Sequence, residues 1–366
     1  MAELMQAHRE WAKRPKDERF LDLTEMLEVQ EGLRYRSKEM VLERTALSFV
    51  ADGPNGLKVV GPKGNGVDLT HWSFGQMAGL AGAPAGYMRN LPAPLAAQCL
   101  NHGLKSGEAD KAQFLLTKME GGPSAPVQLR AANGPTYGRI WNEEITRTLI
   151  RKVGDGRTGQ FKVPGEFGKQ VEITRDNTTL YAGDRDMFVF LADEEHRIEV
   201  PNRRNGKSGS LARGFMISNS EVGAGKLWLA MFLFDFVCAN RIIWGAEGFK
   251  EVSIRHTSGA PDRWLGEVYP AIIEAANASA AAPQRVIANA MQMGVGDRLD
   301  GLLTDFFGTK KVAEAIKVAH IEDEARPIES IWDITVGATA YARALPWQDE
   351  RVNVERAAGR VLQLAA

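Results

Sequence analysis

The chain has 366 residues, of which 44% are hydrophobic and 25% are charged. Such a length and composition are typical of a globular protein with a sizeable hydrophobic core and room for two or three domain-sized units. The 45 basic and 46 acidic residues give a net charge of −1, which excludes a generally basic field for nucleic acid and leaves only local patches for that purpose.

The N-terminal part predicts an arm, a hairpin and helices. Residues 1–45 mix acids and bases around a few leucines, which is typical of a solvated helical arm. Residues 46–104 predict a small hairpin, cut by Gly and Pro, followed by a helical subdomain in which Ser73 and Gln76 have capping-box spacing. The helices before Pro92 also have helix-turn-helix spacing. Because the second helix lacks base-reading groups at its start, we favour a helical pair packed on the core.

Strand patterns dominate residues 105–265. Short runs rich in β-branched and aromatic residues are separated by Gly-, Pro- or Asp-rich turns, and one helix is predicted over 139–153. Residues 266–366 are Ala-rich and predict helices almost to the end. Because strands and helices are grouped separately, we predict an α+β fold: a central, mostly antiparallel sheet with helices packed before and after it.

The stretch Ser220–Lys226 (SEVGAGK) ends like a phosphate-binding loop. Such a loop has Gly, four residues, Gly-Lys and then Ser or Thr for the metal. Here Ser220 takes the place of the first glycine and Leu227 that of the hydroxyl. The apolar run that follows predicts a buried strand, although periodicity alone leaves a buried helix open. We therefore interpret Gly223–Lys226 as a tight turn between two strands.

A basic segment lies at residues 201–213. Its Gly and Ser residues predict an exposed loop, and its cations are not accompanied by acids. Such a loop beside a sheet could clamp a phosphate backbone, because each neutralised phosphate releases a counterion. A solvated loop that only aids solubility is the alternative. The predicted nucleic-acid-binding residues are Arg203, Arg204, Lys207 and Arg213, with Arg241, Arg255 and His256 as weaker candidates on the adjoining sheet.

No catalytic motif is complete in the sequence. Asp184 and Asp186 project to one side of a strand and could hold Mg²⁺, but the sequence points to no third ligand. His256 has the chemistry of a general base, yet no nucleophile or orienting acid is marked for it. Cys99 and Cys238 stand alone in apolar runs and predict buried free thiols. We predict no catalytic residue, no bound metal and no cofactor.

No segment predicts contact with a membrane. The longest apolar run, residues 227–239, is too short for a membrane span and contains Asp235. The first residues are mixed in charge and lack the apolar core of a secretory signal. Together with the scarcity of cysteine, this predicts a cytoplasmic protein.

Six sequence blocks, taken in order, resemble one protein family. They are WSFGQMAGLAGAPAGYMRNLP, SNSEVGAG, VCANRIIWG, IRHTSGA, WDITVGATAYAR and VERAAGRVL. Over roughly residues 65–362 the chain resembles the phage- and plasmid-borne "domain of unknown function 932" proteins. The resemblance implies an accessory protein of a prophage, plasmid or genomic island. It transfers no catalytic residue.

These observations predict a non-enzymatic accessory protein that binds single strands or replication and recombination intermediates. Single-strand annealing proteins use a curved antiparallel sheet with a basic groove, and this fold-level analogy implies a homo-oligomer. Two alternatives stay open. One is a Mg²⁺-dependent nuclease or nucleotide-processing enzyme built around Asp184 and Asp186. The other is a protein-interaction module that acts on a host replication or defence protein.

Overall fold

The computed structural model describes most of the chain. The described residues are 15–106, 110–122, 124–164, 172–176, 178–193, 197–201, 203, 208–235, 241–242, 252–277, 281–345 and 348–366. For residues 232–235 and 241–242 the backbone alone is described. Within these ranges, no helix has both the length and the apolar character that crossing a bilayer requires.

The first part of the described chain alternates short strands and helices. Its elements are β1 (Arg19–Phe20), α1 (Leu23–Tyr35), β2 (Ser37–Glu43), β3 (Ser48–Asp52), β4 (Gly56–Val60), β5 (Gly66–Leu69), α2 (His71–Leu80), α3 (Ala85–Met88), α4 (Ala93–Ser106), β6 (Lys111–Lys118) and β7 (Val127–Asn133). Strands β2 to β7 form the N-terminal sheet in the order β2-β6-β7-β5-β4-β3, antiparallel except for the pair β5–β7. Helices α2 to α4 cover one of its faces, where Met77, Leu100 and Phe114 are buried.

The middle of the described chain forms the central sheet. Its elements are α5 (Asn142–Val153), β8 (Phe161–Lys162), β9 (Leu180–Ala182), β10 (Met187–Asp193), β11 (Ile198–Val200), β12 (Gly209–Asn219), β13 (Leu227–Asp235), β14 (Arg241–Ile242) and β15 (Val252–Ile254). The main path is β1-β9-β10-β12-β13-β14, and β8, β11 and β15 pair with β10, β12 and β13. Helix α5 packs on this sheet because Ile145, Leu149 and Val153 recur every four residues and are buried on one side.

Helices make up the C-terminal part of the described chain. They are α6 (Ala260–Arg263), a π-helical turn (Trp264–Val268), α7 (Tyr269–Asn277), α8 (Ala281–Gln292), α9 (Leu299–Phe307), α10 (Lys310–Glu324), α11 (Ile331–Ala344) and α12 (Gln348–Leu362). Helix α11 lies at the centre of the bundle, since residues 331–340 are all buried. A capping box between Ser330 and Asp333 begins it. Ile198 and Leu211 of the central sheet belong to the same core.

The predicted α+β class is confirmed. The strands predicted between residues 105 and 265 are divided between two sheets, because β6 and β7 pair with strands that precede them in the chain. The helix predicted over 139–153 is present as α5, and the apolar run after Lys226 is strand β13.

Part of the predicted N-terminal arm is buried, so the prediction of a solvated arm is wrong for α1. Leu23 and Met26 are fully buried in the core that also holds Ile145 and Leu149. The charged residues that suggested a solvated arm, such as Glu28, lie on the exposed side of α1. A helix with one apolar stripe therefore packs on the central sheet despite its mixed charge.

Two local predictions in α2 and α4 are also wrong. Thr70, not Ser73, caps α2, because its hydroxyl accepts a hydrogen bond from the Ser73 backbone N–H at 3.0 Å. Gln76 points away from the helix start toward other elements. Cys99 is exposed rather than buried, and Cys238 lies outside the described residues.

A side chain closes the edge of the N-terminal sheet at β3. Asn101 of α4 accepts a hydrogen bond from the Phe49 backbone N–H at 2.6 Å. Its amide donates to the Phe49 carbonyl oxygen at 2.9 Å. The amide thus occupies the hydrogen-bonding position of a neighbouring strand.

Gly103→Ala should destabilise the fold, whereas Gly79→Ala should not. At Gly103, which is helical, an added Cβ would lie 1.9 Å from the Ala81 carbonyl oxygen. Helix α4 would have to move, and we expect a loss of about 1–3 kcal/mol in the free energy of unfolding. Gly79 has nothing within 4 Å of an added Cβ, so alanine there should gain up to about 1 kcal/mol. Urea unfolding measures the change in the free energy of unfolding for each variant. Equal changes in the two variants would contradict the close approach of Gly103 to the Ala81 carbonyl oxygen.

Candidate functional site at the junction of the two sheets

The loop between β12 and β13, residues 220–226, joins the two sheets. The Val222 carbonyl oxygen accepts hydrogen bonds from Trp72 Nε1 at 3.0 Å, Gln76 Nε2 at 2.7 Å and Asn133 Nδ2 at 3.1 Å. The Val222 side chain is fully buried against Leu115 and Ala131 of the N-terminal sheet and Trp141 of the segment before α5. Donors from α2 and β7 therefore converge on one backbone oxygen of this loop, which fixes its position on the N-terminal sheet.

Glu221 anchors the same loop with a buried carboxylate. Its Oε2 lies 3.2 Å from Arg130 Nη1, and the two side chains are 8% and 4% exposed. Its Oε1 accepts the Asn142 backbone N–H at 2.9 Å. Asn142 is the first residue of α5, and the N-cap residue Trp141 makes no side-chain cap. Glu221 therefore caps α5 from a distant part of the chain, at the helix end where the dipole favours negative charge.

The interpretation of Gly223–Lys226 as a turn is confirmed. Strand β13 begins directly at Leu227, so no helix follows the glycines. Gly223 has φ +86°, and an added Cβ would lie 2.6 Å from Asn133 Nδ2. The Ser220 hydroxyl accepts the Ala224 N–H at 2.8 Å and stabilises the turn. The glycines therefore serve the close approach of the loop to β7, and the turn leaves Gly223, Gly225 and Lys226 exposed.

A column of stacked cationic and aromatic groups, the cation–aromatic column, lies beside the loop. The Arg34 guanidinium carbon is 3.7 Å from the Trp141 ring centroid. The Arg139 guanidinium carbon is 5.6 Å from that centroid and 5.1 Å from the Tyr137 centroid. The Tyr137 and His256 rings stack at 5.0 Å with an interplanar angle of 20°. The column joins α1, the segment before α5 and the segment after β15 through attractive ring contacts.

Arg139 is the buried centre of the column. Its side chain is 1% exposed, and its Nε donates to Glu39 Oε1 at 2.7 Å. Its Nη2 donates to Gln113 Oε1 at 3.2 Å. Its Nη1 is buried and has no hydrogen-bond partner among the described residues. A buried donor of this kind represents about 1–3 kcal/mol of unmet hydrogen bonding.

His256 ends the column with a defined tautomer. Its Nδ1 lies 3.0 Å from the Gly138 carbonyl oxygen. A carbonyl only accepts, so Nδ1 carries the proton and Nε2 of the neutral ring carries a lone pair. That Nε2 is buried and has no partner within the described chain. Burial lowers the pKa of His256, and the charge of Arg139 lowers it further, so the ring is neutral at neutral pH.

Tyr137 holds its place in the column as a neutral phenol. Its hydroxyl donates to the Ser220 carbonyl oxygen at 2.9 Å. Burial raises the pKa of Tyr137 well above its usual value, so the hydroxyl keeps its proton. The column is thereby attached to the loop that joins the two sheets.

Two free cations stand at the solvent side of this region. The β13–β15 ladder ends at the pair Leu227 and Ile254. Lys226 directly precedes Leu227 and Arg255 directly follows Ile254, so both lie just beyond the same end of this ladder. Both are exposed, and neither forms an ion pair with any residue that the structure describes. We call the exposed turn, Lys226, Arg255 and the His256 end of the column the junction site. Its unpaired cations beside stacked rings have the chemistry to hold a phosphate group.

The prediction of an exposed basic loop is wrong for Arg203 and Arg213. Arg203 is 2% exposed, and its Nε lies 2.8 Å from Glu324 Oε1. The Arg213 side chain is 6% exposed, and its Nη2 lies 2.8 Å from Asp193 Oδ2. Each arginine is paired with a buried carboxylate, which makes it a structural ion pair without a free guanidinium for phosphate.

The other predicted residues divide into two groups. Arg204 and Lys207 lie outside the described residues, as does the Arg241 side chain. Arg255 and His256 lie together at the junction site. Sequence reasoning missed Lys226 and, apart from His256, the residues of the column. The signal for the column was the alternation of rings and cation in Tyr137–Trp141 (YGRIW).

The two candidate metal-binding aspartates lie in a turn. Asp184 and Asp186 connect β9 to β10, where the Gly183 N–H donates to the Asp186 carbonyl oxygen at 3.0 Å. Among the residues that are described, no three His, Cys, Asp or Glu side chains gather closely enough to share a metal ion.

A second buried polar cluster lies between α10 and α11. Asp333 accepts two hydrogen bonds from Arg326, at 2.9 and 2.6 Å. His320 is fully buried, and its Nε2 lies 4.0 Å from Asp333 Oδ1. Burial lowers the pKa of His320; the charges of Arg326 and Arg203 add to this, and those of Asp333 and Glu324 oppose it. The cluster contains the carboxylate that binds Arg203, so it ties the C-terminal bundle to the central sheet.

Comparison with known proteins identifies no related protein. No protein-family model, no curated protein sequence and no solved structure matches the chain. The resemblance of the six sequence blocks to the "domain of unknown function 932" proteins therefore stays a prediction.

Glu221→Gln should weaken the junction of the two sheets. The substitution leaves the buried Arg130 without a counter-charge, and we expect a loss of about 3 kcal/mol or more in the free energy of unfolding. Glu199→Gln, at an exposed position of β11, should change it by less than about 0.5 kcal/mol. Chemical unfolding of both variants gives the comparison. If Glu221→Gln lowers the free energy of unfolding no more than Glu199→Gln does, the buried pair of Glu221 and Arg130 does not stabilise the junction.

His320 should make stability fall as the pH is lowered. Above pH ~6.5 the ring is neutral in both the folded and the unfolded chain, so it has no effect on stability. Below that pH the unfolded chain takes up a proton that the folded chain resists, and the free energy of unfolding falls by at most about 1.4 kcal/mol per pH unit.

The pH dependence is measured by urea unfolding at neutral and mildly acidic pH. His320→Asn should show a smaller difference between the two conditions than the parent protein. His102→Asn removes an exposed histidine and should leave the difference unchanged. An unchanged difference in His320→Asn would contradict a depressed pKa for His320.

Proposed function

We propose that the protein is a nucleic-acid-binding accessory protein whose contact surface is the junction site. The observation that carries the proposal is a pair of exposed cations, Lys226 and Arg255, which form no ion pair with any described residue and lie next to the stacked rings of Tyr137 and His256. Phosphate binding needs cations that are free to release their counterions. A chain of net charge −1 needs such cations at one place, since its overall field attracts no polyanion.

The buried arginines support moving the contact away from residues 201–213. Arg203 and Arg213 already have buried carboxylate partners, and breaking such a pair to bind phosphate would leave a buried charge uncompensated. Phosphate binding by Lys226 and Arg255 would break no ion pair with a described residue. Of the predicted cations with described side chains, Arg255 alone is exposed, and it lies at the proposed surface.

The resemblance of the sequence blocks supplies the proposed setting. Two of the blocks, SNSEVGAG and IRHTSGA, contain the turn and the segment that form the junction site. We propose that the protein acts in the cytoplasm, on the DNA of a mobile element, without catalysing a reaction. Ring formation of the single-strand annealing kind remains an analogy of fold only.

Charge reversal at both cations should reduce binding of single-stranded DNA. The variant Lys226→Glu/Arg255→Glu removes two phosphate contacts. The plot of log affinity against log salt concentration should therefore become less steep by about 1.4, at about 0.7 per contact. Fluorescence anisotropy of a labelled strand at several salt concentrations measures both the affinity and the slope. Thermal unfolding of the variant checks that the fold is kept.

The matched control is Lys63→Glu/Lys105→Glu. Both lysines are exposed; Lys63 lies between β4 and β5, and Lys105 lies at the end of α4. The control changes the net charge by the same amount and should leave the slope unchanged. Equal losses in the two double variants would reduce the effect to net charge and overturn the proposed surface. Absence of binding by the parent protein at low salt would overturn the function itself.

A further inference from the structure

The outward side of helix α10 exposes two large apolar side chains. Val318 and Ile321 are 53% and 51% exposed and lie about one turn apart. The other side of the helix, with Ala313, Ile316 and His320, is buried in the C-terminal bundle, so α10 lies at the surface of that bundle. β-branched side chains lose rotamer freedom in a helix and, when half-exposed, gain little from packing. Neighbouring exposed apolar residues of this kind are typical of a contact surface.

The charges of α10 are arranged unfavourably for a single helix. Lys311 lies in its first turn and Glu322 in its last, whereas the helix dipole favours acids at the start and bases at the end. Helix α5 of the same chain has the favourable order, with acids in its first turn and bases in its last. Lys311 and Glu322 are exposed, and neither forms an ion pair with a residue that the structure describes. Both charges are therefore available to a group outside the helix.

The charged and apolar positions form one stripe with symmetrical spacing. Along the outward side of α10, the residues of this stripe are Lys311, Ala315, Val318 and Glu322, at intervals of four, three and four residues. Residues at these intervals lie on the same side of a helix. When the stripe meets its own copy in the antiparallel direction, Lys311 of each copy faces Glu322 of the other. Ala315 then faces Val318, so apolar side chains meet between the two pairs of charges.

We infer that α10 pairs with α10 of a second molecule in an antiparallel dimer with a twofold axis. Such an interface is self-complementary, so one helix face supplies both halves of the contact. The apolar centre supplies the attraction, and the charges at the two ends set the direction of the pairing. One helix face buries less than the roughly 800 Å² per partner of a standard interface, so the dimer is weak and depends on concentration. The pairing is independent of the proposed nucleic-acid-binding function, and each can fail without the other.

The test is sedimentation equilibrium of the full chain from about 1 μM to about 1 mM, a range that suits a small interface. Lys311→Glu places like charges against each other at both ends of the contact and should raise the dissociation constant about 5- to 50-fold. Glu322→Lys should have the same effect. The double variant Lys311→Glu/Glu322→Lys exchanges the charges and restores both pairs, so it should dimerise like the parent protein. Each substitution improves the order of charges along α10, so loss of the dimer would not result from unfolding of the helix.

Val318→Asp should raise the dissociation constant about 10-fold or more, because it places a charge at the apolar centre of the contact. Leu95→Asp is the matched control on α4, where Leu95 is 46% exposed, and it should leave dimerisation unchanged. A parent protein that stays monomeric over the whole range would overturn the inference. So would a double charge variant that dimerises as weakly as the single variants, or a loss of the dimer in Leu95→Asp as large as that in Val318→Asp.

Discussion

The contact between the β12–β13 loop and the N-terminal sheet is the constraint on which the junction site depends. Three side-chain donors meet at the Val222 carbonyl oxygen, and the adjacent Glu221 joins Arg130 to the start of α5. Asn133, Arg130 and Glu221 are buried, so each would cost free energy if its partner moved away. The segment before α5 is held between the two sheets as a result, and it carries Tyr137 and Arg139. The docked loop therefore helps to fix the geometry of stacked groups that come from three distant parts of the chain.

Two arginines that the sequence predicts to be exposed form buried ion pairs in the structure. Arg203 finds its partner Glu324 in the C-terminal bundle, and Arg213 finds Asp193 on the neighbouring strand. Their role is to join layers of the fold. Lys226 and Arg255, by contrast, lie just beyond the end of a strand ladder, are exposed and form no ion pair with a described residue. Position relative to the sheets, rather than local density of charge, decides which cations are available for a ligand.

Much of the fold could be predicted from local patterns, and most of the site could not. The helix predicted over 139–153 is present as α5, and Leu227 in place of a hydroxyl predicted the turn. These features are encoded within a few residues. The false capping box shows the limit, since Gln76 is used by Val222 and by the Ala132 N–H far along the chain. Pairing over such distances leaves no local signal, and the column could be suspected only from its alternating rings and cation.

The amide of Asn101 has a consequence for how molecules of this protein meet one another. By bonding both polar groups of Phe49, it occupies a position of β3 at which another chain could add a strand. The opposite border of that sheet is β2, where Lys38, Glu39 and Glu43 are exposed and charge discourages the same event. Both edge strands of this sheet therefore carry features that oppose the addition of a strand from another chain. Contact between copies of the protein through helices or loops is therefore favoured over continuation of this sheet.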